Sequence, residues 1–240
     1  MFLTQLALDP SRRLARKYLG SPQVMHAVVM KAASKAENDD PNTGPRGRVL
    51  WRIDQGAFGV SLYILSPHTP AMDQLVQDAA SPGDQARTLD YNGFLERLTP
   101  GQTWAFRLTA NPARSVSRGP GVRGKRHGHV TVAQQQQWLM DRSEKNGFTL
   151  VPPPVVSESP GNTDENERLA SSLAVVRRDR PVFGRQNPDG SRQDRVTINR
   201  VVYEGVLRVT DAELLRRLLV SGIGPSKAYG CGLMTLARPR

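Results

Sequence analysis

Apolar residues cluster at Phe2, Leu3, Leu6 and Leu8 and predict a strand, which Asp9-Pro10 ends. Ser11 is placed to cap a short basic helix over 12–19, with Gly20 as its stop. Ser21-Pro22 then opens a second helix as cap and first residue. On that helix Val24, Val28 and Lys31 share one face, and His26, Met30 and Ala33 another. The run 38–45, rich in Asn, Asp, Pro and Gly, reads as a loop. Apolar stretches at 49–53 and 60–65 predict two antiparallel strands around a turn near Gly56, and 72–79 predicts a helix. Residues 90–98 are expected to form a last strand or an irregular segment. The order β-α-β-β-α-β is that of a ferredoxin-like unit.

The rest of the chain has the elements for a second such unit. Residues 103–108 alternate, with Trp104, Phe106 and Leu108 on one side and Arg107 on the other, until Ala110-Asn111-Pro112 breaks the run. A basic, glycine-rich stretch over 115–129 precedes a predicted helix at 131–145, and Gly147 is its C-cap. Strands are predicted at 148–151, 173–176 and 196–209, separated by a polar segment at 157–167 and an Arg/Gly/Pro-rich connection. A final helix over 211–219, capped by Asp211, leads to a strand at 233–236. The expected fold is α+β: two tandem ferredoxin-like domains, 1–100 and 101–240, the second elaborated by basic loops or a β-hairpin.

Between that last helix and strand lies Gly222-Ile223-Gly224-Pro225-Ser226-Lys227-Ala228-Tyr229-Gly230-Cys231-Gly232. Backbone without Cβ can approach a bulky anion, and Gly222, Gly224 and Lys227 are candidate phosphate contacts. A Walker loop or Rossmann turn runs from strand to helix, the opposite order, so nucleotide-cofactor binding is disfavoured. Net charge is +11 with a sequence pI near 10.5, and the excess is uneven. Residues 1–100 hold eleven Lys/Arg against ten Asp/Glu, whereas 101–240 hold twenty-two against twelve. That asymmetry points to one surface facing a polyanion. Arg114, Arg118, Arg123, Lys125 and Arg126 form one candidate rail, and Arg177, Arg178, Arg180 and Arg185 another.

Mean hydropathy is −0.47, and no apolar run approaches the ~20 residues of a membrane helix. The first residues lack a basic n-region, so no signal peptide is expected and cytoplasm is the expected address. Cys231, the single cysteine, leaves no internal disulfide and no cysteine-rich zinc site, and neither metal nor cofactor is expected. Of four histidines, His68 sits in a Pro-His-Thr-Pro turn, while His127 and His129 lie among basic residues and suit phosphate contact. His26 alone reads as a helix histidine with no special role. Aromatic content of 6% leaves few platforms for stacking single-stranded bases, which favours a duplex or hairpin partner.

The glycine-rich segment resembles the C-terminal motif of the repeat-associated RNA-processing superfamily. Phe106-Arg107-Leu108-Thr109-Ala110-Asn111-Pro112 resembles the central signature of its CasE family, the CRISPR RNA endoribonucleases of the type I-E Cascade complex. Residues 1–26 are similar to that family's N-terminal strand followed by a helix with a histidine. The resemblance implies metal-independent cleavage of a CRISPR repeat hairpin, in which the ribose 2′-OH attacks the adjacent phosphate. The products are a 2′,3′-cyclic phosphate and a 5′-OH. It implies His26 as the catalytic group, with Lys31 and Ser34 as further candidates, and other Cascade subunits as partners of a chain otherwise monomeric. Relatives often carry tyrosine three residues before the histidine, where this chain has Gln23. Either His26 carries the proton work alone, or Tyr18 or Tyr229 compensates. Two other readings stand beside the nuclease: a non-catalytic RNA-binding scaffold of the same fold, and a basic structural protein of a ribosome-like particle.

Overall fold

The computed structural model of the chain describes residues 1–34, 48–57, 59–116, 125–152, 172–185 and 194–239. The expected loops at 38–45 and 157–167 lie outside these residues, as do Arg118 and Arg123.

The first sheet contains β1 (Phe2–Leu8), β2 (Leu50–Gly56), β3 (Gly59–Ser66) and β4 (Arg87–Asp90), in the order β2-β3-β1-β4 and antiparallel throughout. Three helices, α1 (Arg13–Gly20), α2 (Pro22–Ala33) and α3 (Asp73–Ala79), accompany it. Alternation along the strands explains why both its faces are buried. Leu6, Leu8, Leu62 and Ile64 pack with Ala15, Met25, Val29 and Leu75 of the helices, together with Trp51. Leu50 and Leu65 point the other way and join a larger core with Phe106, Leu108, Trp138, Leu215 and Ile223.

That larger core belongs to the second sheet. Its strands β5 (Thr103–Ala110), β8 (Phe148–Leu150), β12 (Arg200–Val209) and β13 (Met234–Ala237) run in the order β13-β5-β12-β8. A further strand, β9 (Leu173–Asp179), also pairs with β12, next to β8 along the same edge. The arrangement repeats that of the first sheet, with the place of β2 taken by β8 and β9 together. Helices α5 (Val132–Ser143) and α6 (Ala212–Ser221) cross between its strands. Two antiparallel hairpins elaborate it: β6 (Ala113–Val116) with β7 (Lys125–Gly128), and β10 (Val182–Arg185) with β11 (Asp194–Thr197).

Two local expectations fail. Ser11 does not cap α1: its N–H and hydroxyl both donate to Asp9 Oδ1, at 2.9 and 2.6 Å, and Arg12 is the residue at the cap. A short Asp-x-Ser turn competes successfully with a cap when the acidic group is so near. The last strand of the first sheet also lies earlier than expected, because β4 ends at Asp90 and Asn92–Glu96 forms a short helix, α4. Tyr91 and Leu95 of that segment are buried in the larger core, which a helical turn allows both to face.

Candidate active site

His26 sits on α2, whose start is fixed by Ser21, accepting from the Val24 N–H at 3.4 Å, and by Pro22 in the first turn. Met25, Val29 and Ala32 face the first sheet's core, and His26 lies on the flank of that stripe, half-buried. Its Nδ1 is enclosed and has no hydrogen-bond partner among the described residues. Burial pushes the imidazole pKa below its ordinary 6.5, because the charged form loses hydration. The ring is therefore mostly neutral at pH 7.

The glycine-rich segment reaches this histidine through a 3-10 turn, Lys227–Tyr229. The Tyr229 ring stands edge-on to His26, centroids 6.4 Å apart and planes at 67°. Phe183 of β10 also packs edge-on against Tyr229, at 4.8 Å and 66°. Lys227, in the same turn, is half-buried, and its pKa is lowered first by burial and then by the positive charge of Arg48. Two cations held close together favour an anion between or beside them.

The glycines themselves bring the backbone close to the protein's own side chains. Gly222, Ile223 and Gly232 donate their N–H groups to Leu218, Gly232 and Thr109 carbonyls at 2.7, 3.0 and 2.7 Å. A Cβ on Gly222 would lie 3.0 Å from the Leu50 side chain. At Gly224 (φ 76°) a Cβ would lie 2.9 Å from the Trp138 ring, and at Gly230 (φ 77°) 2.7 Å from Trp51. The backbone thus lies against two tryptophans, one from each sheet's core. Close approach is the reason for these glycines, as argued from sequence, but the groups approached at these positions are side chains of the protein.

Asn111 explains why the Asn-Pro signature and the glycine-rich segment occur together. Its Nδ2 donates to Ser226 Oγ at 2.8 Å, and Ser226, alone among the described non-glycine residues, has a positive φ, 64°. Both line an open cleft of ≈ 720 Å³, with Arg178, Arg180, His127, His129 and Asn199 around it. Burial, and next the charge of Arg114, lowers the His129 pKa from 6.5.

The sequence-derived residues are therefore only partly gathered. Arg178 and Arg180 line the cleft; Arg178 also donates to the Val130 carbonyl at 3.3 Å. Arg177 reaches across to Gln55 Oε1 of the first sheet. Arg114 is exposed on β6, Lys125 and Arg126 belong to β7, and Arg185 ends β10. Lys31 and Ser34 are exposed at the end of α2. Lys31 lies about 140° round the helix from His26, at five residues' separation. The Ser34 hydroxyl donates to the Met30 carbonyl at 2.7 Å. Of the two phenols, Tyr18 is committed to Asp78 at 2.6 Å, and burial, followed by that hydrogen bond, pushes its pKa up to about 12. Tyr229 is the one that meets His26.

Sequence reasoning missed Phe183 and Arg52. Arg52 is 1% exposed and holds Asp54 at 2.7 and 2.8 Å. It also donates to the Arg107 and Leu233 carbonyls and to Thr235 Oγ1, at 2.7, 3.0 and 2.8 Å. Strand alternation carried the signal, since Arg52 is two residues from the inward Leu50. Among the described residues no group of three or more His, Cys, Asp or Glu side chains could hold a metal ion, and no helix is long and apolar enough to cross a membrane.

Two antiparallel sheets of like strand order, with a glycine-rich segment lying against a tryptophan from each core, define a tandem ferredoxin-like α+β protein. The chain belongs to the family of CRISPR-associated proteins, whose model matches residues 1–238. It is 32% identical over 240 residues to the CRISPR-associated endoribonuclease Cse3 of Thermus thermophilus, covering 99% of this chain and 100% of that one. Over 40 residues, 17% of this chain and 20% of the relative, it is 52% identical to the Cascade subunit CasE of Escherichia coli. A solved structure of the endoribonuclease Cse3 bound to a 19-nucleotide RNA superposes with a TM-score of 0.72 at 29% identity, covering 99% of this chain and 100% of that one.

Proposed function

We propose that this protein is an endoribonuclease that cleaves CRISPR precursor RNA at repeat hairpins without a metal ion and keeps the product as a subunit of a Cascade complex. Residues 1–100 would supply the catalytic helix, and 101–240 the surface that grips the RNA. Full-length similarity to an endoribonuclease of CRISPR systems supports the substrate class, and similarity to a Cascade subunit supports the assembly. The observation that carries the catalytic reading is His26: half-buried, its pKa held below 6.5 by burial, and packed against a turn whose preceding residue, Ser226, lines the basic cleft.

In the reaction the RNA supplies its own nucleophile. The 2′-oxygen forms a bond to phosphorus, the bond from phosphorus to the 5′-oxygen breaks, and one proton leaves the first oxygen while another reaches the second. A neutral imidazole accepts the first of these protons, a contribution of roughly 10²–10⁴-fold. Lys227, with Lys31 at the end of α2, would offset charge on the phosphorane, and the Ser34 hydroxyl would donate to it on leaving the Met30 carbonyl. Arg114, Arg178 and Arg180, with Arg177, Lys125 and Arg126 alongside, would hold phosphates of the duplex, whose deep major groove hides the bases.

One observation favours the second reading, a non-catalytic RNA-binding scaffold. Gln23, three residues before His26, can hydrogen-bond to a leaving group but cannot exchange its proton. Incubating the protein with a repeat hairpin in EDTA separates the two. The nuclease yields a 2′,3′-cyclic phosphate end, and His26→Ala abolishes that product while hairpin affinity survives. Undiminished cleavage by His26→Ala removes the catalytic assignment, and absence of cleavage by the parent protein leaves the scaffold.

A further inference from the structure

A catalytic imidazole is usually oriented by a hydrogen bond at its second ring nitrogen. Among the described residues His26 has no such bond at Nδ1, although that atom is enclosed. Its orientation must come from packing, and the ring against it is Tyr229. Tyr229 is itself held from several directions. Gly230, the next residue, lies on Trp51, and Ser226, three residues before, is tied to Asn111. Phe183 packs edge-on against Tyr229, brought there by the β10–β11 hairpin, in which it pairs with Val196. That hairpin follows directly on β9, the strand of Arg177 and Arg178, and Arg180 lies between the two.

We propose that Tyr229 and Phe183 are positioning residues for His26, so that the hairpin following the cleft arginines sets the imidazole through the phenol ring. The ring acts by shape, and the Tyr229 hydroxyl takes no part in proton transfer. RNA seated on Arg178 and Arg180 would steady the hairpin and thereby the histidine, coupling occupancy of the cleft to alignment of the reacting group. This rests on His26 being the proton-transfer residue. A displacement of about 1 Å in a reacting group can cost on the order of 100-fold in rate.

The test is single-turnover cleavage of a repeat hairpin at saturating protein, with hairpin affinity and thermal midpoint measured on the same samples. Tyr229→Ala should slow cleavage about 10- to 100-fold with affinity within a factor of about two of the parent, and Tyr229→Phe should recover most of the rate. Phe183→Ala should slow the saturated reaction in the same direction, and Phe183→Leu, which keeps bulk against the phenol, less so. Tyr229→Phe as slow as Tyr229→Ala would mean that the hydroxyl does the work, which overturns the inference. So would a parental rate in both alanine variants. If instead the parent does not cleave, or His26→Ala cleaves as well as the parent, it is the nuclease reading that has failed.

Discussion

The helix that crosses from the first strand of each sheet does opposite work in the two halves of the molecule. In the first half α2 presents a half-buried imidazole to the Lys227–Tyr229 turn. In the second, α5 presents Trp138, 2% exposed, to Gly224 of the same segment and stacks it on Tyr203 at 6.4 Å. One helix offers the segment a titratable group, the other a wall. Charge divides the same way, near neutrality in residues 1–100 and a large basic excess beyond. On the function proposed above, a repeated topology is split between chemistry and grip, and the glycine-rich segment touches both sheets' cores because it is anchored in both. The split can be attacked at the seam, on the gripping surface and at the ends of the two helices.

The largest effect is expected at the seam. Arg52 belongs to the first sheet, yet three of its donor contacts are to Arg107, Leu233 and Thr235 of the second. Arg52→Ala leaves Asp54 with a weaker partner, Arg107 at 3.3 Å, and strips two buried carbonyls of their donor. Losing one side of a buried ion pair costs about 3–5 kcal/mol. Urea unfolding should show one transition in both proteins, moved down by that amount in the variant. Two separate transitions in the parent would mean that the halves are independent modules, and the seam would lose its importance.

How much of this was open to sequence reading depends on the range of the interaction concerned. The order of elements along the chain followed from local patterns: Leu6 and Leu8 facing the helices, Pro22 at a first turn, Asp211 accepting from Glu213 and Leu214 at 2.9 and 3.0 Å. His26 was found through resemblance, since one histidine on a helix carries no signal of its own. Tyr229 was named there only as one of two phenols and Phe183 not at all, because Phe183, Tyr229 and His26 are brought together from distant parts of the chain by packing alone. The glycines were read as a place of close approach to phosphate, and the fold shows close approach to protein side chains at Gly222, Gly224 and Gly230. A missing Cβ is compatible with phosphate or indole, and only the fold decides between them. The β4 strand was placed late because Tyr91 and Leu95 suit a buried strand or a buried helical turn equally.

An intermediate effect is expected on the gripping surface. Each arginine that neutralises a phosphate releases a counterion, so affinity falls with salt in proportion to the number of contacts. Replacing Arg178 and Arg180 together with alanine should lower the slope of log affinity against log salt by about two, while the cleavage rate at saturating protein stays near the parent's. An unchanged slope would place the phosphate contacts elsewhere, on the β6–β7 hairpin or on the first half.

The smallest and sharpest comparison is between the two helix caps. Thr131 opens α5 with a reciprocal box: its hydroxyl accepts from the Gln134 N–H at 3.2 Å, and Gln134 accepts from the Thr131 and Val130 N–H groups at 3.5 and 3.3 Å. Ser21 opens α2 with a single bond of 3.4 Å, beside a proline that already fixes the first turn. Thr131→Ala should cost about 1 kcal/mol and Ser21→Ala about half that. Function should reverse the ranking for cleavage. Loosening the start of α2 loosens Gln23 and His26, two and five residues on, so Ser21→Ala slows the saturated reaction with little change in affinity. Loosening α5 disturbs His129, Val130 and Gln135, which line the cleft, so Thr131→Ala weakens hairpin binding and leaves the saturated rate alone. Were both variants to change rate and affinity in the same proportion, the two helices would not be divided between chemistry and grip, and their matching positions would reflect only a shared fold.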